Sequence, residues 1–414
     1  MKKGLLVLCS IGILSLSLVS CNGKESKINN KSAEDFMKTA TEETMSNVET
    51  VVSGNFIGLA FTTSNDITAK IKVTADNGLN VSADMSVSQK EEIAANVNVA
   101  KLDNEDPEAI EFYMNSNQSS KTKATIKENS DSEATSNSAD SSQLQEIGLK
   151  LGVYSEAITL KNNDNEYKNS DSMDLVEYGM YSQVTTQVKD VIDTLNGKGS
   201  EALPEIPGAD LDMVDPEMIS LTLAVIDGFL NGEVTSDELV SSLESVLGME
   251  LGDSLHDAAV SLVDLIHANN PADYVSYTQI KSKENVTIKA SFDYNKWKKD
   301  FTKGLDGIVS KTNPELESYE FLQLVQYFAA NLLPESLSVA YSFTTTSGII
   351  TKVTTDISAS GSLSGEFIEV LESITGSSSD VPAGAKIAYE VTEATSAEWS
   401  LGNTPVTVKN VTVE

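Results

Sequence analysis

The chain has 414 residues, 62 of them acidic against 29 basic, for a formal net charge of −33. That balance sets nucleic acid aside as a partner and opposes adsorption to anionic lipid headgroups, because both repel a strongly negative body. Every basic residue is Lys, so there is no guanidinium fork for two-point capture of a carboxylate or phosphate.

Met1-Lys2-Lys3 is a short positive head. Gly4 to Leu18 is an apolar run of signal-peptide length, too short for a comfortable membrane span. A small residue, Ser20, then precedes Cys21. The stretch Leu18-Val19-Ser20-Cys21 resembles the lipobox of bacterial lipoproteins. The resemblance implies cleavage before Cys21, a diacylglyceryl thioether on its sulfur and acylation of its new amino group. It therefore implies an exported protein whose membrane partner is reached through lipidated Cys21. Asn22 is no inner-membrane retention signal in enterobacteria-like sorting, which favours the outer membrane or cell surface over the inner membrane. Two or three acyl chains make attachment stable, since each buried methylene contributes about 0.8 kcal/mol. The other cysteine, Cys9, leaves with the signal at residues 1–20. The mature chain then has no internal disulfide despite an oxidising compartment. Its stability must come from burial, and the length allows a core in about two domains.

Residues 21–32 read as a lipidated polar tether. Ser32, with Asp35 three residues on, offers a helix N-cap. Phe36, Ala40, Thr44, Val48 and Val51 follow at helical spacing, and Gly54 stops the helix. Ile67, Ala69, Ile71, Val73 and Ala75 then alternate with polar residues. After Asp76-Asn77-Gly78 the alternation resumes with Leu79, Val81, Ala83, Met85 and Val87. These are two half-buried strands. A two-residue Asn77-Gly78 loop would put the two apolar sets on opposite faces. A three-residue loop pairs Val73 with Val81 and Ile71 with Ala83 and puts them on one face. The pattern thus predicts a type I turn closed by a bulge, with Gly78 left-handed.

Further strands are expected at Ile93–Val99, Ile110–Met114 and Lys121–Lys127. Residues 128–143, rich in Ser, Asn, Asp and Thr, read as a disordered loop. A helix follows, with Met173, Val176, Met180, Val184, Val188, Val191 and Leu195 as its stripe. These elements make an N-terminal region, 33–197, of helix plus antiparallel sheet. Residues 198–270 read as a helical insert. It holds a buried helix from Met218 to Leu230, a Thr235/Glu238 capping box, and a helix from about Asp253 to Ala268. The C-terminal region, 271–414, returns to helices plus antiparallel sheet. It has a strand at Val286–Tyr294, helices near 295–310, 314–332 and 365–375, and strands near 385–393 and 405–413. Between them Leu337, Val339, Tyr341 and Phe343, then Ile349, Val353 and Ile357, form a second hairpin. Its three-residue loop Thr346-Ser347-Gly348 again puts the apolar sets on one face.

Long antiparallel strands with one apolar face need a cover, and the helices supply it. The expected fold class is α+β: large one-sided antiparallel sheets covered by helices, with an α-helical insert. An opening helix followed by a meander of such strands, over 33–127 and again over 271–414, is similar to the periplasmic lipoprotein carriers and the mycobacterial lipid-binding lipoproteins. The resemblance implies a curved half-barrel whose helices enclose an apolar cavity for acyl chains. Candidates for lining it are Ile71, Val73, Val81, Met85, Val339, Tyr341 and Val353.

Motifs for chemistry are weak. His256 and His267 lie about 16 Å apart along one predicted helix and cannot share a metal within one chain. Asp253 and Asp264, each three residues earlier, make ordinary helix-surface pairs with them. Asp210, Asp212, Asp215 and Glu217 have the charge for calcium, but Val214 and Asp215 break the EF-hand order, and charge at a helix start accounts for them. Gly361-Ser362-Leu363-Ser364-Gly365 carries Leu363 where a nucleophile elbow needs its nucleophile. Trp297 and Phe301 lie one turn apart and read as core packing. No phosphate-binding glycine loop or clustered cysteine site occurs, so no cofactor or metal is expected. The reading is a non-enzymatic, lipid-anchored envelope protein holding an apolar ligand, a lipid. The alternative is a surface antigen or adhesin-like display protein with a solid core and no small-molecule ligand.

Overall fold

The computed structural model describes residues 24–76, 78–127, 133–196, 234–247, 251–375 and 384–413. Cys21, the Asp210–Glu217 cluster and the expected Met218–Leu230 helix lie outside them. The strands are β1 (Lys24–Ile28), β2 (Phe56–Thr74), β3 (Asn80–Asn98), β4 (Ile110–Lys127), β5 (Thr135–Lys150), β6 (Val153–Asn162), β7 (Asn165–Asp174), β8 (Val275–Ser282), β9 (Asn285–Phe292), β10 (Ser336–Thr346), β11 (Ile349–Ser364) and β12 (Lys386–Gly402). The helices are α1 (Asn30–Val52), α2 (Val99–Leu102), α3 (Tyr181–Leu195), α4 (Ser236–Leu247), α5 (Asp253–Ala268), α6 (Tyr294–Val309), α7 (Glu317–Leu332) and α8 (Gly365–Thr375). The fold is α+β.

All the strands belong to one 12-stranded antiparallel sheet, open at both edges, in the order β1-β8-β9-β10-β11-β12-β2-β3-β4-β5-β6-β7. Two meanders, β2–β7 and β8–β12, are zipped together where β12 pairs with β2 from Lys386↔Thr74 to Gly402↔Gly58. The sheet belongs to the first of two compact units, with α1, α2, α3 and α8. The second unit combines residues 201–275 and 293–334, so the helical body is larger than the expected 198–270 insert. It holds α4 to α7, cored by Ala258, Val309 and Leu322.

The β2–β3 hairpin has the expected register: Val73 faces Val81 and Ile71 faces Ala83. Ala75 donates to Leu79, Gly78 donates to Ala75, and Gly78 takes φ +86°, where glycine pays no Cβ penalty. The second hairpin reaches the same end differently. Its turn has two residues, Ser347 and Gly348, both at positive φ, with Thr346 opposite Ile349. Continued unbroken, that register would send the apolar sets to opposite faces. A bulge at Thr344/Thr345 shifts it, and Phe343 then faces Val353 and Val339 faces Ile357.

Helix α1 is capped by Asn29, whose carboxamide accepts from Ser32 N–H, rather than by Ser32 itself. Along its length α1 serves two cores. Ala33, Phe36 and Met37 pack with Ile288, Phe343, Val353, Ala397 and Trp399. Val48 and Val52 pack with Ile57, Val97, Ile110, Leu149, Tyr181 and Ile192. Large side chains buried this way contribute roughly 1.5–3 kcal/mol each.

Several expectations are corrected. The tether ends early, because Lys24–Ile28 already pairs with β8. Residues 135–143 of the expected disordered loop form β5. Met173 belongs to β7, and α3 starts only at Tyr181, with Tyr181, Thr185 and Ile192 as its buried residues. Val191 and Leu195, placed on the expected stripe, are exposed. The segment 403–413 is not a strand. It crosses the sheet on the face away from α1, where Asn96 bonds both the N–H and the C=O of Val406.

Candidate functional site

Residues directly opposed in an antiparallel sheet share a face, so the register lists what lies beside what. On the face that carries α1 and α3, strands β12, β2, β3 and β4 show three zones. The proximal zone holds Leu401, Leu59, Ala95 and Phe112, then Trp399, Phe61, Ile93 and Met114. It is packed by the helices. The distal zone has three mainly apolar rows: Val391-Ala69-Met85-Thr122, Tyr389-Ile71-Ala83-Ala124 and Ile387-Val73-Val81-Ile126. With about 4.8 Å between strands and two residues between rows, this field covers roughly 15 Å by 15 Å. Ile71 and Met85 are each 45 % exposed, and Ile126 and Val391 nearly as much.

Between the two apolar zones lies a polar waist. Its central row runs Gln89, Asn65, Thr395, Thr355, Tyr341 across β3, β2, β12, β11 and β10. Thr395 and Thr355 are 4 % and 6 % exposed. Five buried side-chain atoms of the described residues have no hydrogen-bond partner within the protein, and three are in this row: Asn65 Oδ1, Thr395 Oγ1 and Thr355 Oγ1. An unpaired buried polar group costs about 1–3 kcal/mol, so a cluster of three calls for an explanation. Beside them, burial pushes the Tyr341 hydroxyl up to about 12, which keeps it a neutral donor.

The charges are segregated. On β2–β7 and β9–β12, every Lys shares the parity of the opposite, outer face, as Lys70 and Lys72 do beside inward Ile71. There they form cross-strand ion pairs such as Lys70–Glu390 and Lys352–Glu398. The helix-bearing face instead carries Glu91, Glu156 and Glu393. Two troughs of about 590 and 420 Å³ are lined mainly by outer-face side chains, among them Lys70, Asp84 and Glu390 or Lys121 and Asp140.

The seven residues expected to line an apolar cavity share the helix-bearing face but occupy different zones of it. Ile71, Val73, Val81 and Met85 sit in the distal field. Tyr341 is in the waist row, with Val339 one row beyond it. Val353 is packed in the proximal core. The waist itself escaped the sequence reading. Its signal was the break in apolar alternation at Thr63, Asn65, Gln89 and Glu91, between two runs of the same phase.

His256 is held from outside its own helix. Its Nδ1 lies 2.9 Å from Glu244 and its Nε2 3.1 Å from Asp237, both on α4. The expected pairing with Asp253 is not the one formed. The hydrogen bond to Asp237, then that to Glu244, hold its pKa above the usual histidine value. Trp297 stacks on Phe301 and donates to the Asn269 carbonyl, as a helix-packing residue does. Among the described residues, no group of three or more His, Cys, Asp or Glu is placed to hold a metal, and no helix is long and apolar enough to cross a membrane.

No protein-family model matches the chain. No curated protein matches it either. Among solved structures, the translocator domain of autotransporter NalP from Neisseria meningitidis aligns over 89% of this chain and 97% of its own, at 6% identity and a TM-score of 0.13. At that TM-score the likeness carries no argument about fold or function.

Proposed function

We propose that the chain is a non-enzymatic, lipid-anchored protein of the bacterial envelope that holds an acyl lipid against the distal half of its helix-bearing face. The observation behind it is the distal field: three rows of mainly apolar side chains, in phase with a packed core, left open to solvent. Exposed apolar patches of this kind mark interaction sites. In this reading the open sheet works as a curved half-barrel, with the distal field as its floor. The membrane is reached through lipidated Cys21.

Purified Cys21→Ala protein, extracted with organic solvent, is expected to release acyl lipid detectable by mass spectrometry. The pair Ile71→Gln and Met85→Gln is expected to lower that yield severalfold at unchanged thermal stability, since both side chains are exposed. A lipid-free extract from the parent protein overturns the proposal.

The second reading, a display platform, draws on the proximal half. There Val353 and Phe343 are packed solidly under α1, with no room for a ligand. The same extraction separates the two.

A further inference from the structure

We propose that the waist row Asn65–Thr395–Thr355 is a headgroup subsite, and that it selects an uncharged, hydroxyl-bearing acyl lipid of the monoacylglycerol type. The inference rests on the lipid reading of the same face and adds the chemistry of the head.

Three facts carry it. The first is the orphaned set. Two hydroxyls, each at least nine-tenths buried, and one carboxamide oxygen lie on directly paired strands without partners. Each hydroxyl can donate and accept, whereas the carboxamide oxygen only accepts. A ligand that satisfies them must bring at least one donor, for the carboxamide oxygen, and can offer the hydroxyls either donors or acceptors, as adjacent alcohols and an ester do. The second is position. The row borders the distal apolar field, with Ile67 and Val87 leading from it toward Ile71 and Met85. An acyl chain lying along β2 and β3 would put its head at Asn65. Asn65 and Gln89 are half-buried rather than sealed, which leaves an approach from that side. The third is charge. The strands from β9 to β12 and from β2 to β7 bring no Lys to this face, and Glu91 and Glu393 flank the row. A carboxylate or phosphate head would be desolvated beside like charge with no lysine of these strands to meet it.

The test uses the Cys21→Ala chain, delipidated, with three probes of matched chain length: 1-monooleoylglycerol, oleate and octadecane. The parent is expected to bind monooleoylglycerol about tenfold or more tighter than octadecane, and oleate no better than octadecane. The double variant Thr355→Val, Thr395→Val is expected to lose most of that preference while its octadecane affinity stays unchanged. Each lost hydrogen bond is worth about a factor of two to ten. Without ligand, the same variant is expected to melt higher than the parent, because valine removes an orphaned hydroxyl at nearly constant shape. Thr355→Ser, which keeps the hydroxyl, is expected to retain the preference.

Equal affinity of the parent for monooleoylglycerol and octadecane would overturn the subsite and leave the apolar reading standing. So would a preference that survives in the double variant, or a lower melting point in that variant. Failure of the parent to bind any of the three probes would overturn both.

Discussion

At the scale of single residues, His256 ties α4 to α5 through both ring nitrogens, and only the imidazolium can donate to Asp237 and Glu244 at once. Its pKa in the fold is raised above the ordinary 6.5. A raised pKa means that the contribution to stability is complete below the unfolded value and is lost as pH rises through the folded one. His256→Gln is therefore expected to destabilise the helical unit at pH 5.5 and to make little difference at pH 9. Thermal melts of parent and variant across that range measure it. A gap between them that does not close with rising pH would contradict the clamp. This clamp was not legible in the sequence. Spacing on one helix suggested Asp253, but the partners come from a different helix, and local periodicity carries no information about that. The capping box is the opposite case. Thr235 and Glu238 exchange the expected bonds, because a cap is local to three residues.

At the scale of elements, alternation revealed strands wherever one face had to be buried. The β2–β3 hairpin was readable to its register because only one loop length keeps Val73 and Val81 together. Strand β5 was unreadable in its first half for the complementary reason. Residues 135–140 pair with β4 alone and are exposed, so nothing selects apolar side chains there. The segment 403–413 misled in another way. Val406 and Val408, then Val411 and Val413, are spaced two apart as in a strand, yet the segment lies across β2 to β5 as a strap. It fits because Gly58 and Gly148 lack side chains. A Cβ on Gly58 would clash with the Thr404 carbonyl oxygen, and one on Gly148 would stand 2.9 Å from Val411. Beneath it Tyr113 is sealed, with burial and its bond to Glu146 pushing its hydroxyl up to about 12. The latch is Asn96, which replaces a neighbouring strand as the partner of Val406. Asn96→Leu leaves both backbone groups unpaired and is expected to cost about 1–3 kcal/mol. It is also expected to open Lys409 to trypsin. Unchanged cleavage at Lys409 would mean that the strap is held elsewhere.

At the scale of the whole molecule, the sheet needs protection at its two edges. Both carry charged residues: Lys24, Glu25 and Lys27 on β1, and Glu166, Lys168 and Asp171 on β7, which also exposes Tyr167. Charged edges discourage pairing with a second sheet. The β1 edge also bears on the proposed anchor. Only Asn22 and Gly23 separate Cys21 from the start of β1, so a lipid on Cys21 would hold that edge within about 10 Å of the headgroups. A body even more negative than the full chain's −33, since Lys2 and Lys3 leave with the signal, gains nothing electrostatic from that approach to an anionic surface. Acyl chains would then be the whole of the attachment, and salt should not matter to it. Cys21→Ala is expected to move the protein from the membrane pellet to the soluble fraction in low and high salt alike. The unsubstituted protein is expected to stay in the pellet in both. If Cys21→Ala remains in the pellet at low salt and leaves at high salt, charge is holding the protein after all. If it remains at both, an apolar surface other than the acyl chains is the anchor, and the distal field would be the first place to look.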